Sequence, residues 1–211
     1  MPQIIGLEYF QKANILNIPL SVDLPNPNPA IKSASNTDYL TELCTRIEKS
    51  LLLNAFGLAT YNTLQLALAD IDNPLYASYK KLVQGQEYDG KVWAGLNDDY
   101  SFIAAKIYDE FNTETNKRLS AVGVVSAKPE KASLETPMYK IAAANQMFFK
   151  NYQGGYLIEP IVIENFTDWY GQNEDVEVSL YQYMVDKKTD FTSFDIEKFR
   201  VYTGEKNSFG I

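Results

Sequence analysis

The sequence predicts a mainly α fold: a helical bundle with minor β (a hairpin and extended arms) and extended N- and C-terminal segments. Three observations carry this. In most of the stretch between residues 37 and 153, outside 86–96 and 120–135, apolar residues recur at three- and four-residue spacing, the period of one helix face. Gly57, Asn73-Pro74, Gly85, Thr136-Pro137 and Gly154-Gly155 punctuate that stretch where helices start and stop. Leu24-Pro25-Asn26-Pro27-Asn28-Pro29 places prolines at alternate positions, which forbids helix and favours extended chain. The chain accordingly divides into an N-terminal arm with a Pro-rich linker (1–35), a helical core (36–155) and a C-terminal extension (156–211).

The elements follow in order. Residues 1–22 hold short apolar pieces without a helical stripe and read as an arm with one or two extended pieces. Leu40, Leu43, Cys44, Ile47 and Leu51 form one face of a helix over about 37–56, capped by Asn36 or Thr37 and closed by Gly57. Leu58, Tyr61, Leu64, Leu68 and Ile71 predict a second helix. Asn73-Pro74 opens a third, with Leu75, Tyr79 and Leu82 inward and Gly85 as its stop. Asp89-Gly90 within 86–96 marks a tight turn, hence a small hairpin or loop.

A long helix is expected over about 98–118, with Phe102, Ile103, Ile107 and Phe111 apolar. Residues 120–135 look irregular. Thr136-Pro137 starts another helix through Met138, Ile141, Asn145 and Phe148 or Phe149, ended by Gly154-Gly155. The run 156–164 is short and β-branched, and Pro160 demotes it to an edge strand. A helix over 176–190 with Val178, Tyr181 and Met184 or Val185 inward, and a last strand over 199–203, complete the reading.

Composition narrows function. The chain has 211 residues, 45% of them apolar, and a formal charge of −8. Such acidity disfavours a general grip on nucleic-acid phosphates or on anionic lipid. No stretch approaches the length of a membrane span, and the first residues carry no secretory pattern. Histidine is absent, which removes Ser-His-Asp and Cys-His catalysis and His-ligated metals. Cys44 is the sole cysteine and lies on an apolar helix face, so an inert buried thiol is the preferred reading. No cofactor or metal is expected.

Other motifs fare no better. Ser78-Tyr79-Lys80-Lys81 matches Ser-x-x-Lys, but the companion elements of that chemistry are missing. Asp70/Asp72, Asp98/Asp99 and Glu174-Asp175-Val176-Glu177 cluster carboxylates. Counting from Asp70, the sixth position of a calcium loop is Leu75 where glycine is required, so these read as caps and solvated turns. Asn165-Phe166-Thr167 fits a glycosylation acceptor only on a secretory route. The positive signal is aromatic, with 15 tyrosines and 11 phenylalanines. Several fall outside helical periodicity: Tyr88, Trp93, Tyr152, Tyr156, Trp169, Tyr170, Tyr202 and Phe209. Aromatic side chains there serve either a Tyr-rich core or contacts with other proteins.

The order of features from Thr37 to about Tyr152 resembles the head–tail connector (adaptor, head-completion) proteins of tailed bacteriophages. The resemblance rests on Asp38-Tyr39-Leu40 through Leu53-Asn54-Ala55-Phe56-Gly57, on Tyr61 and Leu64, and on Leu82-Val83-Gln84-Gly85-Gln86-Glu87-Tyr88. It continues with Trp93-Ala94-Gly95-Leu96, Gly123-Val124-Val125, and a helix carrying Asn145 with aromatics after it. Asn207-Ser208-Phe209-Gly210-Ile211 is similar to tails of this group in phages of Bacteroides-type hosts. The resemblance covers a little over half of the chain.

It implies a structural virion protein, not an enzyme, located at the neck of the particle and assembled in the host cytoplasm. Its partners would be copies of itself in a ring, usually dodecameric, the portal protein, and the next tail or neck protein. Genomic DNA would pass through the lumen without specific binding, and no membrane is involved. The residues expected to touch partners are Ile4 and Ile5 of the arm and Tyr202, Phe209 and Ile211 of the tail. Two alternatives stay open: a carboxylate-dependent hydrolase of carbohydrate, with two acids in one cleft and one pKa raised, and a monomeric protein-binding module with an exposed aromatic patch.

Overall fold

The computed structural model describes residues 2–12, 16–18, 36–121, 138–154 and 177–202; within the helices, the side chains of 36, 114–121 and 138 are not described. The architecture is mainly α. Helices α1 (Asn36–Ala69), α2 (Ala77–Gln84), α3 (Phe102–Ala121), α4 (Met138–Gln153) and α5 (Leu180–Asp186) surround one apolar core. The β structure among the described residues is a hairpin of β1 (Gln86–Tyr88) and β2 (Lys91–Trp93), with one parallel bridge from Val92 to Glu177.

α1 is two helical limbs joined at Gly57, whose φ of 72° and ψ of 171° only glycine adopts readily. The stop expected at Gly57 and the restart at Leu58 are both present. The first limb buries Leu40, Leu43, Cys44, Leu51 and Leu52, and the second buries Tyr61, Leu64 and Ala67. α1 packs on α3, and α3 lies along α4, so these three helices form the frame.

Asn73 caps the next turn as expected, its side chain accepting the N–H of Leu75 at 3.1 Å. Leu75 itself is a correction: it is 85% exposed, while Tyr79, Leu82 and Val83 point inward. The short 3-10 turn Pro74–Tyr76 precedes α2 and offsets its phase, so the inward stripe starts one turn later.

The close of α2 is built by close backbone approach. A Cβ on Gly85 would lie 2.5 Å from the carbonyl oxygen of Ala94, and one on Gly95 would lie 2.6 Å from that of Val83. The last carbonyls of α2 are thereby satisfied: Leu82 accepts from Leu96 N and the Trp93 indole, and Val83 from Asn97 N. Asp89 (φ 47°) and Gly90 (φ 76°) make the hairpin turn that Asp-Gly predicts.

α3 begins at Phe102, later than expected, because Asp98 first caps a turn by accepting Tyr100 N at 2.8 Å and Ser101 then caps the helix. Phe102, Ile103, Ile107 and Phe111 are buried as anticipated. α4 buries Ala144, Phe148, Phe149 and Tyr152.

The C-terminal region differs from expectation in two ways. α5 is shorter than 176–190, starting at a Ser179 cap, and it buries Leu180, Tyr183 and Met184; Tyr181 and Val185 face solvent. Residues 199–202 form no strand, because their backbone bonds to side chains and to α1 rather than to a sheet. The 156–164 strand and nearly all of the irregular 120–135 segment lie outside the described residues.

The N-terminal segment is not a free arm. A 3-10 turn (Leu7–Phe10) and its flanks put Ile5, Phe10 and Leu16 at 0% exposure against α1 and α3.

Candidate functional site

The residues expected to meet partners are placed as follows. Ile4 and Ile5 belong to this chain's own core, a correction to their reading as an outward arm. The cause is a carboxylate forty-odd residues away. Glu48, 4% exposed on α1, accepts the N–H of Ile4 at 3.1 Å and that of Ile5 at 2.9 Å. Those bonds satisfy backbone donors that would otherwise be buried bare. Burial pushes the Glu48 carboxyl above its ordinary pKa, and the two N–H groups pull back. Gln3 Nε2 donates to Thr45 Oγ1 at 2.7 Å beside the same seam.

Tyr202 is half-buried and tied to the chain twice. Asn54 Nδ2 donates to its hydroxyl at 2.9 Å, and its backbone exchanges two bonds of 2.8 Å with the Gln153 side chain. Its ring meets Phe148 and Tyr152 edge-on at 5.4 Å. Phe209 and Ile211 lie outside the described residues.

The aromatic signal resolves mostly toward packing. Tyr152 is fully buried, stacked on Phe148 at 5.3 Å and in contact with Phe102 and Phe199; its hydroxyl donates to the Arg200 carbonyl at 2.9 Å. Trp93 stacks on Tyr183 at 5.1 Å. Tyr88 donates to Asp186, which also accepts from Lys91 and Gln182. Burial opposes the Asp186 charge, but those three donors win and hold its pKa below the ordinary range. Together these contacts pin the hairpin to α5. Tyr156, Trp169 and Tyr170 lie outside the described residues.

The chemistry-bearing candidates take structural places. Cys44 is buried, and desolvation, with Glu48 and Glu8 nearby, pushes its thiol up to about 12. Lys80 of the Ser-x-x-Lys match pairs with Asp72 at 2.6 Å. Asp99 pairs with Lys12. A shallow cleft of about 330 Å³ between the hairpin and α4 is lined by Trp93, Tyr100, Lys150 and Asn151, with Asp98 and Glu177 as its carboxylates. Glu48, whose pKa burial raises, is not among its lining residues. Among the described residues no three His, Cys, Asp or Glu side chains gather to hold a metal, and no helix is long and apolar enough to cross a membrane.

Several large apolar side chains face outward. Leu58 and Leu66 on the second limb of α1 are 67% and 60% exposed. Leu75 stands out before α2, Tyr100 before α3, Tyr139 at the start of α4, and Val185 on α5. Sequence reasoning missed the first of these surfaces, although a signal was there: no charged residue stands between Lys49 and Asp70. It missed Glu48 as well, and no local pattern could have found that residue, because its partners are set by tertiary contact.

Comparison with known proteins finds no match to a protein-family model, to a curated protein or to a solved structure.

Proposed function

We propose that this chain is a structural subunit of a phage head-to-tail connector: one copy in a neck ring that joins the portal vertex to the tail and lets DNA pass through its lumen. It acts by holding copies together and performs no turnover. Its partners are further copies, the portal protein and the next neck or tail protein. The observation that carries this reading is the distribution of exposed large apolar side chains. Leu75 lies in the α1–α2 turn, Tyr139 on α4 and Val185 on α5, three separate elements. A ring would use separate surfaces of this kind, because a head-to-tail contact pairs two different surfaces of the same subunit. Each is a single exposed residue, ordinary by itself on a protein surface, so the support lies in their placement on three different elements and not in a patch. The net charge of −8 supports the same reading, since a lumen that passes a polyanion should not grip phosphates.

The test is the mass of the purified chain over a hundredfold concentration range, followed by imaging with the portal present. Closed rings with a lumen wide enough for duplex DNA are the expected outcome. A chain that stays monomeric at every concentration, alone and with portal, refutes the proposal.

A further inference from the structure

The second limb of α1 presents a solvent face with no charge on it. Leu58, Ala59, Asn62, Leu66 and Ala69 are its exposed positions, spaced at three and four along the helix. A solvated helix face normally carries charged side chains. In this chain 22% of residues are charged, yet none falls between Lys49 and Asp70.

Residues 200–202 are held on the first limb of α1, just before the Gly57 junction with this second limb. Arg200 N donates to the Asn54 carbonyl at 3.0 Å, and Asn54 Nδ2 donates to the Tyr202 hydroxyl at 2.9 Å. Asn54 stands four residues before Leu58, on the first limb and across the Gly57 kink, so residue 202 is held near the junction from which the uncharged face starts. Allowing for the extended step at Gly57, Leu66 is at most about 21 Å from Asn54. Six residues lie between Tyr202 and Phe209, and the seven Cα-to-Cα steps reach up to about 25 Å. The intervening sequence places its charges, Glu205 and Lys206, early; Asn207-Ser208-Phe209-Gly210-Ile211 has none. An uncharged segment with two large apolar side chains is the chemistry that such a face accepts.

We infer that the uncharged face of the second α1 limb is the docking surface for residues 203–211 of the same chain, with Phe209 and Ile211 as its apolar anchors against Leu58 and Leu66. Asn62, in the middle of the face, offers both a donor and an acceptor to the backbone of an extended segment. The contact is intramolecular, so a short tether gives it an effective concentration in the millimolar range. This inference does not rest on the ring reading and stands or falls separately from it.

A cysteine pair, Leu66→Cys with Phe209→Cys in the full chain, tests it. Leu66 is largely exposed, so the substitution spares the core, and Cys44 is buried. The expected result is a disulfide within one chain, its yield unchanged on tenfold dilution. A covalent ladder of chains would assign the face to a neighbouring copy's tail and overturn the inference. Absence of crosslinking would overturn it as well. A second measurement removes residues 203–211: binding of an apolar fluorescent dye should rise at least twofold, and Leu66→Lys in the truncated chain should reverse that rise. Dye binding unchanged by the truncation counts against the docking.

Discussion

Replacing Glu48 by alanine puts the seam between the N-terminal segment and α1 to a quantitative test. Two backbone donors, Ile4 N and Ile5 N, end on this carboxylate at 3.1 and 2.9 Å in a buried setting. Leaving a buried donor unpaired costs about 1–3 kcal/mol, so the pair sets a gross cost of about 2–6 kcal/mol. Removing the buried charge returns part of that. The chain can also limit the loss by letting residues 2–18 lift away so that water reaches the amides. The expected net effect is therefore about 2–4 kcal/mol in urea unfolding, with amide exchange at Ile4 and Ile5 accelerated by at least about tenfold. The pH dependence has a defined sign. Because the folded Glu48 carboxyl titrates above its ordinary value, the folded state binds the proton more tightly than the unfolded one. Its contribution is full below the unfolded carboxyl pKa, near pH 4, and is lost as pH rises through the folded value. Relative to Glu48→Gln, the native protein should lose stability across that window. A Glu48→Ala chain with unchanged unfolding and unchanged exchange at both amides would refute this account.

Two further outcomes follow from the same structure. Gly57→Ala should destabilise by about 1–3 kcal/mol, since a Cβ there meets nothing within 4 Å and the whole cost is the backbone angle; thermal melting followed by circular dichroism reads it, and a neutral or stabilised variant would mean that the two limbs can fuse into one straight helix. The Cys44 thiol, pushed up to about 12 by burial, should resist thiol reagents at pH 8 in the folded chain and react fully in urea; rapid modification of the native protein would contradict its burial.

Much of the helical frame was legible because its information is local. The three-and-four spacing of Leu40, Leu43, Cys44 and Ile47, the glycine at 57, the Asn73 cap and the Asp89-Gly90 turn each act within a few residues, and each took the expected form. Leu75 and Tyr181 went the other way. Periodicity marks a stripe, but a neighbouring element decides which stripe is buried, and the 3-10 turn before α2 and the Ser179 cap of α5 moved the phase. The arm reading of Ile4 and Ile5 failed for a longer-range reason: a segment without helical period looks extended, and nothing nearby announces that Glu48 waits for its amides.

By itself, then, the sequence determined a histidine-free, acidic, mainly α chain and the breaks at Gly57, Asn73 and Asp89-Gly90, because capping, turn geometry and apolar period are short-range effects. Tertiary structure alone decided that residues 4 and 5 are core, that Tyr152 and Trp93 are buried while Leu58, Leu66 and Leu75 are not, and that Tyr202 is tied to Asn54 and Gln153. Those outcomes depend on which surfaces meet across tens of residues, and burial energy is assigned only when they do.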